Sequence, residues 1–172
     1  IQDSAQIWHN TKSRPSFWSN QEMERKEEPD NQRRQTMTLQ EAIEARHSVR
    51  AYKDLPLSEE IVKLLEDELV KLNNEGQLHI QLICNEPKAF QGTLAKYGKF
   101  RNANKYLVMA GKRADDLDER IGYYGEHIVL LAQTLGLNTC WVGLSYSKVP
   151  GTYVLEEGEK IACYIAIGYG ET

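Results

Sequence analysis

A chain of 172 residues with a formal net charge of -4 and a pI near 5.6 has the length of one domain with a substantial core. It lacks the basic surplus expected of a nucleic-acid binder, although a binder of a small anion needs only local positive charge. No apolar run approaches the roughly 18 residues that carry a helix across a bilayer, so no membrane partner is expected, and the odd, scattered set of cysteines points to a cytoplasmic setting. The three cysteines, Cys84, Cys140 and Cys163, sit in apolar, strand-like surroundings without metal-ligand spacing. They read as reduced core thiols with neither a disulfide nor a metal role.

The chain opens at Ile1, and Met37 precedes the first patterned segment. Residues 1–36 show no sustained periodicity and carry mixed charges from Glu22 to Arg34, which predicts a disordered or added extension outside the fold. Trp8, Phe17 and Trp18 are its only large apolar groups, and docking of this stretch as an arm stays open. The domain is therefore expected over residues 37–172.

Thr38 and Glu41 form a capping box that opens a helix running to about Arg46. At its exit lies Arg46-His47-Ser48-Val49-Arg50, the densest set of phosphate-grade donors in the chain. Arginine offers a planar fork for bidentate contact with phosphate oxygens, and serine adds a short donor. In extended backbone, positions 46, 48 and 50 project to one side and converge on one anion. The competing reading is that a basic cluster after a helix satisfies the last carbonyls and the helix dipole.

Pro56 enforces extended geometry before Ser58, which caps a second helix with Glu59 and Glu60 in its first turn. Ile61, Leu64, Leu65, Leu69 and Leu72 give its buried stripe, and Asn73-Asn74-Glu75-Gly76 ends it. Alternation from Leu78 to Cys84 predicts a strand with one wet face. His79 falls on that face and reads as a solvated edge histidine, since no carboxylate or metal-ligand partner sits at useful spacing. Pro87 to Tyr97 is a short helix or an irregular segment. In the polar run that follows, Lys99, Arg101 and Asn102 face either a ligand or solvent. Tyr106 to Ala110 is a clear strand.

The longest helix is expected from about Leu117 to Leu135, with Ile121, Tyr124, Ile128, Leu131 and Leu135 as its stripe and Gly136 as its left-handed stop. Gly122 and Gly125 inside it each cost about 1 kcal/mol relative to alanine. Close approach of another helix is the favoured reason, and of a flat ligand the alternative. Glu126 and His127 are adjacent, so they point to different faces and make no acid/base pair. Thr139 to Leu144 reads as a strand covered on both faces, where Gly143 lets a ligand approach the backbone. Ile161 to Ile167 is another buried strand, and a chain stopping just beyond it suggests that a C-terminal piece is missing.

No Gly-Lys-Ser/Thr loop, His-Glu-x-x-His or Gly-x-Ser-x-Gly occurs, and Gly168-x-Gly170 is too short for a dinucleotide fingerprint. A nucleophilic Cys84 or Cys140 paired with His47 would need an exposed, electropositive setting that strand-buried thiols lack. What remains is an anion-binding cluster and a glycine-marked strand end on an α+β scaffold without a protein acid/base set. That combination suits a phosphate-bearing cofactor that performs the chemistry itself.

Ala45-Arg46-His47-Ser48-Val49-Arg50-Ala51-Tyr52 resembles the Arg-x-Ser-x-Arg opening of the FMN-dependent nitroreductase family. Gly122-Tyr123-Tyr124-Gly125-Glu126-His127, followed by Ala132 to Gly143, resembles the long helix and next strand of the same family, particularly its small TM-type branch. The likeness covers about Met37 to Gly170. It implies an α+β, three-layer sandwich with a central, mostly antiparallel sheet flanked by helices, assembled as a homodimer. It further implies that Arg46, His47 and Ser48 hold the FMN phosphate and that Arg50 reaches the phosphate or the pyrimidine edge. Trp141, Val142 and Gly143 would bring backbone to the isoalloxazine ring. The implied activity passes electrons from NAD(P)H through FMN to nitroaromatic, quinone or similar small acceptors, with no catalytic side chain and no metal. The alternative is a non-catalytic fragment of that fold which binds FMN or another phosphate ligand.

Overall fold

The computed structural model describes residues 37–93 and 95–171; the expectations for residues 1–36 lie outside them. Helix α1 spans Leu39–Ala45 and opens on the expected box: Thr38 Oγ1 accepts the Glu41 N–H at 3.2 Å while Glu41 Oε2 accepts the Thr38 N–H at 2.7 Å. Helix α2 spans Glu59–Gly76, with Ser58 Oγ accepting the Ile61 N–H. It runs through the Asn73-Asn74 pair and stops at Gln77, whose φ of 49° is left-handed. Arg120 closes that end, Nη1 donating to the Gly76 and Gln77 carbonyls at 2.8 and 3.1 Å. The carbonyls that a helix terminus leaves open are thereby satisfied.

The remaining elements are β1 (Gln81–Ile83), a 3-10 turn at Lys88–Phe90, the single-turn α3 (Ala95–Gly98), β2 (Tyr106–Lys112), α4 (Leu117–Thr134), β3 (Asn138–Val142) and β4 (Glu159–Gly168). The strands form one antiparallel sheet in the order β1-β2-β4-β3, with Leu107 opposite Ile165 and Cys140 opposite Ala166. Period-2 alternation sorts its side chains. Leu107, Met109, Ile165 and Ile167 join Leu65, Leu69, Leu72, Ile121 and Ile128 in a core under α2 and α4. Tyr106, Val108, Tyr164 and Ala166 turn to the opposite face, where Val49, Tyr52 and Phe90 cover them. Tyr106, Tyr164 and Tyr146 stack there with centroid spacings of 4.9 and 4.0 Å. The α+β sandwich with a central antiparallel sheet is thus the observed architecture.

Several local expectations are corrected. Leu64 is 43% exposed, because the stripe that meets α4 and β1 is Leu65-Leu69-Leu72, one position further around the helix. Regular pairing in the 78–84 segment covers only Gln81–Ile83, with Leu78 held by a single bridge to Gly111. The outer edge at Ile80 is taken by Asn73, whose amide accepts from the Ile80 N–H at 2.7 Å and donates to its carbonyl at 2.9 Å. Edge groups left open invite pairing with other chains. Cys84 lies past the strand end and is exposed, Cys140 is buried and Cys163 half-buried. Burial pushes the Cys163 thiol up to about 12, which removes it from thiolate chemistry. Strand β3 ends at Val142 at the edge of the sheet, and Leu144 is 85% exposed.

The helix–helix reading of the two glycines also fails. A Cβ at Gly125 would lie 2.4 Å from Trp141 Cη2 and 2.8 Å from Met109 Cε, both on strands, while nothing approaches Gly122 within 4 Å. The close approach of α2 to α4 occurs instead at Gly76, where a Cβ would stand 2.6 Å from Tyr124 Cδ2.

His79 does have a carboxylate partner. Its Nδ1 lies 2.8 Å from Glu159 Oε2, which also accepts the Glu156 N–H at 2.7 Å. Burial raises the Glu159 carboxyl, but the Glu156 amide and His79 outweigh it and hold the group below its ordinary value of 4.5. A carboxyl depressed in the folded state stabilises the fold above its unfolded pKa and loses that contribution as pH falls through the folded one. Urea denaturation should therefore find the wild type more stable than Glu159→Gln at pH 7, with the gap closing below about pH 4.5. A gap that stays constant down to pH 3 would count against this pairing. Among the described residues no helix is long and apolar enough to cross a membrane.

Candidate functional site

The stretch after α1 is fixed by what its backbone pairs with. Ser48 bridges Thr139 in parallel, and the Val49 N–H donates to the Thr139 carbonyl at 3.0 Å, so this segment lines the free edge of β3. Further on, the Arg101 N–H donates to the Arg50 carbonyl and the Tyr52 N–H to the Arg101 carbonyl, while the Glu171 N–H donates to Ala51. Val49 and Tyr52 point inward at 7% and 1% exposure, and the Tyr52 hydroxyl donates to the Val49 carbonyl at 2.6 Å. Burial raises the Tyr52 hydroxyl far above its usual range, so it remains a neutral donor. With Val49 and Tyr52 inside, Ser48 and Arg50 face out.

Arg50 meets the end of β3 in a cavity of about 480 Å³, a size typical of ligand sites. Trp141, Val142 and Gly143 line it together with Tyr97, Gly98, Lys99 and Phe100 from the other segment, and with Ser145. Phe100 is backed by Phe90, whose ring centroid is 4.7 Å away. Arg50 and Lys99 are the charged residues of the lining, and no Asp, Glu, His or Cys contributes to it. The cavity is cationic with flat aromatic walls, suited to a planar ligand bearing negative charge.

Of the residues singled out by sequence, Arg50, Trp141, Val142 and Gly143 come together in this cavity. Arg46, His47 and Ser48 do not line it. His47 and Ser48 are exposed, and His47 Nδ1 sits 3.2 Å from the Ala45 carbonyl, in keeping with helix capping. The Arg46 guanidinium bonds none of the helix carbonyls. Its Nε is buried without a hydrogen bond and lies 3.9 Å from Glu126 Oε1. Lys99 reaches the cavity, whereas Arg101 is paired with Glu171 and Asn102 donates to the Tyr52 carbonyl, two structural roles.

Sequence reasoning missed Tyr97 and Phe100, which carried no periodic signal, and it missed Glu126. Its Oε2 accepts the Trp141 indole N–H at 3.2 Å. His127 packs instead near Tyr123, with ring centroids 4.9 Å apart. Among the described residues no cluster of His, Cys, Asp and Glu could hold a metal ion.

Three solved structures illustrate the likeness of the fold. An FMN-dependent nitroreductase from Clostridium difficile R20291 aligns over 76% of this chain and 87% of its own, with 18% identity and a TM-score of 0.59. A structure titled a putative nitroreductase in complex with FMN, from Desulfovibrio desulfuricans, aligns over 78% and 87%, with 19% identity and a TM-score of 0.58. One titled a putative nitroreductase, from Thermotoga maritima, is 24% identical over 80% of this chain but only 50% of its own, with a TM-score of 0.52. No curated protein matches the sequence. The family model described as "Putative TM nitroreductase" matches residues 38–172. That match takes in the Arg46–Arg50 stretch, α4 and the glycine-marked end of β3 together, and the chain belongs to this nitroreductase family.

Proposed function

We propose that the protein is an FMN-dependent oxidoreductase that takes electrons from NAD(P)H and delivers them to nitroaromatic, quinone or similar small acceptors. The observation carrying this reading is that Arg50 and the Trp141-Val142-Gly143 strand end, far apart in sequence, line one cationic, aromatic-walled cavity. Family membership and the FMN named in the titles of two similar structures support it. The residues fit the cofactor. Arg50 and Lys99 offer donors to an anionic group, Arg46 holds a buried N–H without a hydrogen bond, and Gly143 has no atom within 4 Å of where a Cβ would stand.

In this proposal Arg46, His47 and Ser48, outside the cavity lining, hold the phosphate and Arg50, within it, the phosphate or the pyrimidine edge, while Val142 and Gly143 present backbone to the ring. FMN, when bound, supplies the hydride and electron transfer. The side chains bind and orient; Trp141, Phe100 and Tyr97 exclude water from a flat ligand. With no Asp, Glu, His or Cys among the described residues of the lining, proton exchange falls to solvent and substrate. Leu144 and Tyr97, 85% and 82% exposed beside the cavity, suit burial against a second copy, and the proposal includes a homodimer acting in the cytoplasm.

The test is direct. The purified protein should take up FMN and show the oxidised flavin absorbance, and it should oxidise NADH or NADPH when a nitroaromatic is supplied. A protein that takes up no added FMN sinks the proposal. Uptake of FMN without NAD(P)H oxidation supports a non-catalytic binding module instead.

A further inference from the structure

Glu126 stands between the two halves of the site. Its Oε2 receives the Trp141 indole N–H at 3.2 Å and its Oε1 lies 3.9 Å from Arg46 Nε, a nitrogen that is buried and otherwise without a partner. Gly125 beside it leaves the space that the Trp141 ring fills, since a Cβ there would meet Cη2 at 2.4 Å. Helix α4 therefore sets Trp141 by two adjacent positions, one giving room and one giving an acceptor. Among the described residues the same carboxylate is the counter-charge within 4 Å of the buried Arg46 N–H, at a distance too long for a hydrogen bond.

We infer that Glu126 is a positioning residue with two tasks: it fixes the indole that walls the cavity, and it holds Arg46 as a stand-in counter-anion that a ligand phosphate must displace. This rests on the proposed function for the identity of the ligand, but not for the geometry. A long ion pair leaves Arg46 weakly held and ready to turn to a better acceptor. A phosphate brings two or three oxygens at hydrogen-bond distance where Glu126 offers one oxygen beyond it. Glu126 thus lowers the affinity for an anion at Arg46 while keeping the aromatic wall in place. A purely structural glutamate would have the opposite effect on binding, since its removal would loosen the site.

The experiment uses the full chain and three variants, Glu126→Gln, Glu126→Ala and Trp141→Phe. The Trp141 indole N–H resonance is assigned by its loss in Trp141→Phe, and FMN and inorganic phosphate are titrated into each protein. Gln keeps an oxygen for the indole and removes the charge. Glu126→Gln should leave the indole resonance close to its wild-type position and bind phosphate and FMN about two- to fivefold tighter, the range expected for a long, partly exposed ion pair. Glu126→Ala should shift that resonance and speed its exchange with solvent. Unchanged or weaker phosphate binding in Glu126→Gln, absence of binding in both proteins included, overturns the counter-anion task. An unmoved indole resonance in Glu126→Ala overturns the wall-fixing task. If the wild type takes up phosphate but no FMN, the proposed function fails and both arms of this test still decide.

Discussion

Replacing Arg46 and Arg50 together with alanine is expected to lower the affinity for FMN by about 10²- to 10⁴-fold. Each charge-assisted hydrogen bond contributes about 1.5–3 kcal/mol, and two of them correspond to that range of dissociation constants. The folded chain should barely register the change. Among the described residues Arg50, which is exposed, makes no side-chain hydrogen bond, and Arg46 has only the 3.9 Å approach to Glu126. Arg101→Ala is the control, because its guanidinium is committed to Glu171 and lies outside the cavity lining. Fluorescence titration with FMN, beside thermal melts of the apo proteins, separates the outcomes. If the double variant binds like the wild type, or if Arg101→Ala loses FMN to the same degree, the anion site has been misplaced.

That contrast between Arg50 and Arg101 shows where sequence reading reaches its limit. Both are arginines in polar, extended backbone, and they stand side by side because the Arg101 amide bonds the Arg50 carbonyl. Only the fold decides that one faces the cavity and the other the Glu171 carboxylate. Features settled within a few residues were legible: the Thr38–Glu41 box, the Ser58 cap, and the turn at Gly136 with its φ of 77°. So were β2 and β4, whose apolar runs reflect burial on both faces. Features settled by a distant partner were not. Glu159 is 80 residues from His79, and the space at Gly125 is demanded by a tryptophan on β3. The two motifs that pointed to the family were legible as strings, while the cavity they share needed Tyr97 and Phe100 from a segment with no pattern of its own.

A large loss of stability from one polar side chain is expected at Glu86, which lies in that same unpatterned region. Glu86 is 8% exposed and takes three hydrogen bonds: Oε1 from the Lys88 N–H at 2.9 Å, and Oε2 from the Ala89 N–H at 3.0 Å and the Tyr106 hydroxyl at 3.1 Å. Burial first, with the neighbouring carboxylate adding to it, pushes the Tyr106 hydroxyl up to about 12 even though a Thr152 contact opposes. Tyr106 therefore donates across the whole working pH range. Glu86→Ala strands two amides and a phenol, each costing about 1–3 kcal/mol when buried without a partner. With some water reaching the site, the total should be about 3–5 kcal/mol, a large fraction of the stability of an ordinary domain. Tyr106→Phe alone removes one donor and leaves the carboxylate satisfied by two amides, so about 1 kcal/mol is expected. The double variant should then be less destabilised than the two losses added together, because the phenol is no longer stranded. Chemical denaturation of the four proteins reads this directly, and strict additivity would show that the Tyr106–Glu86 bond carries nothing. The effect should extend to binding. The 3-10 turn that Glu86 closes carries Phe90 against the cavity wall at Phe100, and its Ala89 carbonyl accepts the Ser147 N–H at 2.8 Å, two residues from Ser145 of the lining. Loosening the turn frees Phe100 and the Ser145 segment together, so Glu86→Ala should also weaken FMN binding while Tyr106→Phe leaves it intact.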